Sequence, residues 1–334
     1  MAGLADGVAA AEERKVAWAL GPTTVDGTFL RPAGAGPFAG AVFVAGSGPT
    51  DRDWNSPLLP GTNGSGRLVA EALARAGIAS LRYDKRGVGP HAQGNLEALR
   101  GRVSMESHRE EVAGAVAFLA GQGDVRSDRL FAVTNSEGAL HALHYQLSGP
   151  AVPLAGLVLT APPGRAVGAV ARTQLAEQAA AVPNGDKLLA LYDAAIGRFL
   201  AGAPVDPDPA LPPGVKGLLK SLSSPLNLPF SRELWQADAA ELLARLSVPV
   251  LVLIGKRDIQ VDWRLDGDPL RRAATGGTDA TFRFPEHANH LLKYEASERS
   301  ALTAADVGAR YNAADAALDP EAETEIRQWL LAHI

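Results

Sequence analysis

The chain has 334 residues, of which 46% are hydrophobic and 21% are charged, and its formal net charge is −5. This composition is typical of a globular protein with a large buried core, and the negative charge argues against a nucleic-acid-binding surface. The absence of cysteine excludes disulfides, thiolate metal sites and a cysteine nucleophile.

Residues 1–15 are rich in alanine and acidic residues, with no basic residue near the start. A secretory signal begins with a positively charged region, so we expect no targeting peptide here. No stretch of the chain approaches the roughly 20 uncharged apolar residues that a membrane-spanning helix requires. We therefore expect a cytoplasmic protein without a membrane span.

The chain begins with two predicted short strands, residues 15–20 and 27–32, which flank a predicted turn at 25–27. Six further strand candidates are more apolar and are typical of parallel strands buried on both faces. These six candidates are residues 39–45, 78–83, 129–134, 154–160, 248–254 and 280–284.

Amphipathic helices are predicted between these strands, at residues 66–76, 105–120, 137–147 and 321–333. Alternation of strands and helices at this spacing favours an α/β fold with a doubly wound, mostly parallel central sheet flanked by helices. The sheet would begin with an antiparallel pair of strands and continue with a parallel body.

Residues 163–247 interrupt this alternation, because no convincing strand occurs there. The first half of the segment is helical in pattern (166–181 and 186–202), and the second half is rich in proline. A structureless loop of this length is improbable in a compact domain. We therefore predict a helical cap inserted between two parts of one core, residues 1–162 and 248–334.

Ser136 is the candidate nucleophile. It follows the strand 129–134 and precedes a helix, so a sharp turn would expose its hydroxyl above the sheet, at a helix N-terminus that favours developing negative charge. Strand and helix approach closely at such a turn and need small residues two positions before and after the serine. Gly138 meets this need, whereas Thr134 occupies a position where glycine is usual. The alternative interpretation is a helix N-cap serine.

The candidate base is one of seven histidines. His141 and His144 are one helical turn apart, but no third ligand follows at a recognisable interval, so we predict no metal site. His287 and His290 lie in the loop after the last strand, at the sheet edge where catalytic groups gather. We choose His290 as the base, with His287 as the surface alternative.

A carboxylate must orient this base, and Asp258 is the first acidic residue after the strand 248–254. Asp262 is a weaker candidate, and a role in capping a turn is the alternative for Asp258. The order serine, aspartate, histidine along the chain is the one expected of the α/β-hydrolase fold.

The strand 39–45 runs into a glycine-containing turn, from which the backbone can approach a substrate closely. The backbone N–H groups of Ser47 and Glu137 are the predicted donors to an oxyanion. Such donors in a dry site are typically worth about 3–4 kcal/mol of barrier each. A plain tight turn is the alternative.

Three motifs in the chain resemble a known family. AGSGPTDRD (residues 45–53) resembles the HGSGP-x-DRD segment of bacterial α/β-hydrolases in the esterase, serine-aminopeptidase-like and dienelactone-hydrolase-like group. DKRGVG (84–89) resembles that group's D-x-R-G-x-G turn, and NSEG (135–138) resembles its H-S-E-G elbow. Residues 258–261 and 289–290 match its acid and base loops.

The resemblance implies an α/β-hydrolase fold with a triad of Ser136, Asp258 and His290. It also implies that the amides of Ser47 and Glu137 bind the oxyanion, and that three charged residues hold loops as scaffold: Arg52, Asp84 and Arg86. The chain departs from the family at Ala45, where histidine is usual, and at Thr134-Asn135, where Gly-His is usual. We expect the second departure to crowd the elbow.

These features together predict a serine hydrolase that cleaves carboxylic esters of small molecules, with no cofactor and with specificity decided by the cap. A peptidase or a thioesterase would use the same residues, and Thr134 and Ala45 favour a non-catalytic small-molecule binder. A nucleotide-binding protein is disfavoured, because residues 46–51 do not complete G-x-G-x-x-G and residues 61–67 lack the lysine of a phosphate loop. The oligomeric state stays open.

Overall fold

The computed structural model describes residues 10–334, so most of the segment 1–15, for which no targeting peptide is predicted, lies outside the described residues. Eight strands form one sheet in the order β1-β2-β4-β3-β5-β6-β7-β8. The strands are β1 (Glu12–Leu20), β2 (Thr23–Arg31), β3 (Phe38–Val44), β4 (Ile78–Tyr83), β5 (Val125–Asn135), β6 (Gly156–Thr160), β7 (Val250–Leu253) and β8 (Ala280–Arg283). The pairs β1–β2 and β2–β4 are antiparallel, and all other neighbours are parallel. The predicted α/β class, with an antiparallel start and a parallel body, is confirmed.

The first hairpin differs from its prediction. The turn lies at Gly21 and Pro22, and Gly21 has a φ of 56°, a conformation that glycine adopts without strain. The predicted turn residues Val25 and Gly27 instead lie within β2, where they pair with Trp18 and Val16. The predicted turn was therefore wrong.

The helices follow the strands as predicted, with additional short ones. They are α1 (Ser65–Arg75), α2 (Ala92–Ala98), α3 (Met105–Ala120), α4 (Gly138–Leu147), α5 (Val167–Ala179), α6 (Gly185–Leu200), α7 (Pro213–Leu222), α8 (Phe230–Gln236), α9 (Ala239–Leu243), α10 (Gly267–Ala274), α11 (Ala304–Arg310) and α12 (Pro320–His333). Among residues 10–334, no helix is long and apolar enough to cross a membrane.

Helices cover both faces of the sheet, and two hydrophobic clusters lie between the layers. Successive residues of a strand point to opposite faces, so Val42 and Val44 of β3 join the cluster under α3 and α4. Ala41 and Phe43 join the cluster under α1 and α12. This double burial explains why the central strands are apolar along their whole length.

Residues 163–247 contain the five helices α5–α9, between β6 and β7. Part of this segment has a hydrophobic cluster of its own, formed by Tyr192, Ala195, Phe199, Val205, Leu211, Leu219, Leu222 and Trp235. The segment also contacts the body of the protein, because the Phe230 amide donates to the Val103 carbonyl (2.9 Å). The helical content agrees with the sequence pattern, while the division into core and cap stays a prediction.

Candidate active site

Four loops meet at the carboxyl edge of the parallel strands. Ser47 follows β3, Ser136 follows β5, Asp258 follows β7 and His290 follows β8. In the sheet β3 lies between β4 and β5, so the chain changes its winding direction there. Crevices at such a reversal are where ligands of open α/β sheets bind.

Ser136 lies on a sharp turn between β5 and α4. Its φ is 52°, a conformation that is uncommon and strained for a residue with a side chain. The Ser136 amide donates to the Thr160 carbonyl of the neighbouring strand (2.9 Å). A Cβ atom on Gly138 would lie 2.4 Å from the Val44 carbonyl oxygen, so only glycine permits this close approach of α4 to β3.

Thr134 is fully buried beneath this turn. Its hydroxyl donates to the Val158 carbonyl (3.2 Å), and its carbonyl accepts a hydrogen bond from the Thr160 hydroxyl (2.6 Å). The threonine in the usual glycine position therefore has its polar atoms satisfied by β6. Its effect on the orientation of Ser136 stays a prediction.

Asp258 and His290 form a buried pair, with side chains 0% and 7% exposed. His290 Nδ1 lies 2.8 Å from Asp258 Oδ2, and the other carboxylate oxygen accepts hydrogen bonds from the amides of Gln260 (2.7 Å) and Val261 (3.0 Å). A carboxylate without a proton only accepts hydrogen bonds, so His290 Nδ1 would be the donor to Asp258 Oδ2, and in a neutral imidazole Nε2 would then carry the lone pair. A Cβ on Gly255 would lie 2.0 Å from the Ala288 carbonyl oxygen, and this tight contact brings the two loops together.

Ser136 and His290 line the same cavity, which has a volume of about 350 Å³. Gly46, Ser47 and Gln260 line it as well. No hydrogen bond joins the Ser136 hydroxyl to the His290 imidazole among the described side chains. Such bonds are often long in the absence of substrate and tighten when substrate binds.

Two backbone amides beside Ser136 are free to bind an anion. No described residue accepts a hydrogen bond from the amide of Ser47 or Glu137. The turn after β3 is held in place, because the Thr50 hydroxyl donates to the Ser47 carbonyl (2.7 Å) and the Lys85 ammonium donates to the Gly46 carbonyl (2.5 Å). Free amides on a fixed turn are suited to an oxyanion.

Lys85 and Asn135 were not selected from the sequence, yet both hold the site together. Lys85 is buried, which lowers the pKa of its ammonium group. The Asn135 side-chain amide donates to the His290 carbonyl (3.0 Å) and so ties the serine turn to the histidine loop. Lys85 occupies a variable position of its motif, and Asn135 stands where the motif usually has histidine, so neither identity indicated which carbonyl the side chain contacts.

A second histidine–carboxylate pair lies at the start of α4, directly after Ser136. His141 Nε2 is 3.1 Å from Glu137 Oε1, and the His141 ring stacks on that of His108 (4.6 Å between centroids). Burial would raise the pKa of Glu137, but the His141 hydrogen bond and the Lys85 charge outweigh it and lower this pKa to about 2. Burial lowers the pKa of His141 to about 4.

The alternatives considered from the sequence lie away from the Ser136 cavity. His287 Nδ1 contacts the Glu295 carbonyl (3.2 Å), and Asp262 pairs with Arg299 (3.5 Å). His141 pairs with Glu137, and no cluster of three potential metal ligands occurs in the part of the chain that the structure describes.

The charged residues implied to be scaffold make ion pairs at buried or half-buried positions. Arg52 Nη2 lies 2.6 Å from Asp84 Oδ2, and Arg86 Nε lies 2.9 Å from Glu111 Oε1. The first pair joins the loop after β3 to the loop after β4. The second joins the loop after β4 to α3.

No protein-family model matches the chain. Esterase EstD of Thermotoga maritima is 26% identical over 268 residues, which cover 80% of this chain and 57% of that protein. The chain therefore spans little more than half the length of this curated relative.

Two solved structures are similar over nearly the whole chain. An esterase of Pyrococcus furiosus superposes with a TM-score of 0.57 at 14% identity, covering 97% of this chain and 91% of that one. The dienelactone hydrolase of Anabaena variabilis superposes with a TM-score of 0.51 at 17% identity, covering 97% and 96%.

The protein therefore has the α/β-hydrolase fold, as the sequence predicted. Within that fold the chain is similar to the esterase and peptidase-like group that its motifs resemble.

Proposed function

We propose that the protein is a serine hydrolase that cleaves carboxylic esters of small molecules through an acyl-enzyme. The observation that carries this proposal is the buried His290–Asp258 hydrogen bond at the cavity that also contains Ser136. This bond fixes the protonated nitrogen of His290 and leaves the other ring nitrogen as a base.

In the first step the Ser136 oxygen attacks the ester carbonyl while His290 Nε2 accepts the hydroxyl proton. The amides of Ser47 and Glu137 bind the oxygen that becomes negatively charged. Asp258 stabilises the imidazolium. The carbon–oxygen bond to the alcohol then breaks, and the alcohol leaves with the proton from His290.

In the second step water attacks the acyl-enzyme and gives its proton to His290. The bond between the acyl carbon and the Ser136 oxygen breaks, the acid departs, and the proton returns to the serine. Neither step requires a cofactor.

Two features support a small ester as the substrate. The cavity volume of about 350 Å³ is at the low end of the range of about 300–1,000 Å³ typical of small-molecule sites. The curated relative is named an esterase, as is one of the structural neighbours. A peptidase or thioesterase would use the same groups, so the substrate class must be decided by assay.

A small-molecule binder without turnover is the second candidate, and Thr134 and Ala45 favour it. Fluorophosphonates react with activated serines, so labelling of the folded wild-type protein separates the two functions. We expect labelling, together with hydrolysis of p-nitrophenyl esters, and we expect both to disappear in Ser136→Ala. A folded wild-type protein that neither reacts with the probe nor hydrolyses any ester of the series would support the binder.

A further inference from the structure

The cavity at Ser136 is not lined by the helical insertion. Its apolar walls come from the loop after β3 and from the segments after β7 and β8: Trp54, Leu58, Leu59, Ile259, Leu291 and Gly308. None of residues 163–247 lines this cavity among the described residues. The lining of this cavity therefore gives no support to the expectation that the insertion decides specificity, which stays a prediction.

The insertion encloses a different cavity, of about 390 Å³, between α5, α6 and α7. Its lining includes Leu175, Tyr192 and Gly214, and it contains no residue of the Ser136 cavity. The insertion cavity can therefore serve as a control for the Ser136 cavity, because Ser136 and His290 line only the latter.

Helix α11 presents small residues to the Ser136 cavity. Ala304 and Gly308 are four positions apart, so they lie on the same face of the helix, and both line the cavity. Gly308 is buried, and a Cβ atom there would lie 3.3 Å from Leu59 Cδ2. A longer side chain at Gly308 would therefore occupy cavity space.

The position of α11 is fixed by contacts that do not involve the insertion. A small hydrophobic cluster surrounds it: Leu291, Val307 and Tyr311, with Leu59, Ile259 and Leu302 packed against them. The Gln260 side chain donates to the Tyr311 hydroxyl (2.9 Å). The helix is thus tied to the loop that carries Asp258.

Hydrogen bonds also join the two walls of the cavity to each other. The backbone amide of Asn63 donates to the backbone carbonyl of Asn312 (3.1 Å), and the Lys293 ammonium donates to the backbone carbonyl of Asn63 (2.7 Å). The Ser65 hydroxyl donates to the Leu291 carbonyl. The walls of the cavity therefore form one connected unit. The width of the cavity between them depends on the side chains that face inward.

We propose that this unit is the acyl-chain pocket of the enzyme and that Gly308, with Ala304 at the mouth, sets the longest chain accepted. This inference rests on the proposed function and adds the substrate class: esters of short to medium aliphatic acids. The acyl group is the better occupant because it stays bound through both chemical steps, whereas the alcohol must leave after the first.

The test compares two glycine-to-leucine variants. Gly308→Leu fills the Ser136 cavity, and Gly214→Leu fills the insertion cavity, where a Cβ meets nothing within 4 Å. Ala309→Leu adds the same bulk to an exposed position of α11 and controls for changes in the helix. The ratio of kcat/KM for p-nitrophenyl octanoate to that for p-nitrophenyl acetate is measured in each variant.

We expect Gly308→Leu to lower this ratio about tenfold or more, because one methylene group that does not fit a pocket changes kcat/KM by about 10- to 200-fold. The other two variants should keep the wild-type ratio within about twofold. An unchanged ratio in folded Gly308→Leu, or a change of similar size in Gly214→Leu, would overturn the proposal. A shift seen only when the alcohol is varied would assign the pocket to the leaving group instead and would also overturn it.

If the proposed function is wrong, the wild-type protein will show no ester hydrolysis, and this result differs from a change in the chain-length ratio. If the wild-type protein hydrolyses no ester, calorimetric titration with octanoate still tests the pocket. The proposal predicts binding to the wild type and to Gly214→Leu, with weakened binding to Gly308→Leu. Equal binding of octanoate to all three proteins, or no binding to any of them, would contradict it.

Discussion

The protein has two buried histidine–carboxylate pairs near the serine turn, and they differ in what surrounds them. His290 and Asp258 (2.8 Å) border the cavity that contains Ser136. His141 and Glu137 (3.1 Å) lie among side chains, with His141 stacked on His108 and not lining this cavity. A histidine hydrogen-bonded to a carboxylate is therefore insufficient to identify a base.

The environment of the His141 pair argues against a role in catalysis. Burial lowers the pKa of His141 to about 4, so this imidazole is neutral at pH 7, and its Nδ1 has no hydrogen-bond partner among the described residues. With Nε2 bonded to Glu137, His141 has no nitrogen directed at a reacting group. We interpret the His141 pair as a structural element, while the catalytic role of the His290 pair stays a proposal.

Replacing the carboxylate of each pair by an amide should give the largest difference in kcat between the two pairs. Asp258→Asn should lower kcat about 10⁴-fold, since the corresponding change in a serine protease triad fixes the wrong tautomer and has this effect. Glu137→Gln keeps its backbone amide and should change kcat less than tenfold. It should lower the free energy of unfolding by only about 1 kcal/mol, because His141 Nε2 then donates to a neutral amide oxygen instead of a charged carboxylate oxygen.

Both variants should be compared as folded proteins, with circular dichroism as the check and urea titration as the stability measurement. If Glu137→Gln reduced kcat as strongly as Asp258→Asn, the distinction between a structural and a catalytic pair would fail.

The His141 pair should make stability sensitive to acid. The pKa of His141 is about 4 in the folded protein and about 6.5 in an unfolded chain, so the unfolded state binds more protons between these values. The free energy of unfolding is therefore highest above pH 6.5 and decreases as the pH falls toward 4. The decrease is about (6.5 − 4) × 1.36, or about 3 kcal/mol. Glu137, with a pKa of about 2, adds a further loss below about pH 4.5.

His141→Gln keeps a donor for Glu137 but does not titrate. We expect its free energy of unfolding to change much less between pH 6.5 and 5 than that of the wild type, while kcat at pH 7.5 stays within a few-fold. Urea titrations at the two pH values measure this difference. A variant with the wild-type pH dependence would show that His141 is not the group responsible.

The smallest expected effects concern the residues that hold the catalytic loops. Asn135→Ala removes the hydrogen bond to the His290 carbonyl, and Lys85→Met removes the one to the Gly46 carbonyl. Each such bond is worth about 1–2 kcal/mol, so we expect about a tenfold loss of kcat with little change in KM. Asn135→His, which introduces the usual family residue, shows whether a different donor restores the loop. A rise in KM without a loss of kcat would contradict a positioning role.

Much of the fold was predictable from the sequence because the central strands are buried on both faces. Their apolar residues made the six parallel strands recognisable, and α3 was predicted with its observed bounds. The first hairpin was misplaced because Asp26 and Gly27 are typical turn residues. Pairing of β2 with both β1 and β4 overrides that local preference.

Residues of the candidate site could be predicted where a family motif directly follows a predicted strand. Asp258 and His290 were selected on this basis, and the structure brings their side chains into contact. Their roles and that of Ser136 stay predictions. The cavity walls could not be predicted, because α11 is a short helix with no strong apolar period and its contact with Leu59 joins residues far apart in the chain. Lys85 and Asn135 were missed because their roles depend on which carbonyl they reach.

Identification of the acyl-enzyme tests the central claim most directly. The wild-type protein is quenched with acid during turnover of p-nitrophenyl acetate, digested and analysed by peptide mass spectrometry, with Ser136→Ala treated in the same way. We expect an acetyl group on Ser136 of the wild type and none in the variant, which should have lost turnover. Full ester hydrolysis by Ser136→Ala, or acetylation of a different residue at the rate of turnover, would contradict this account.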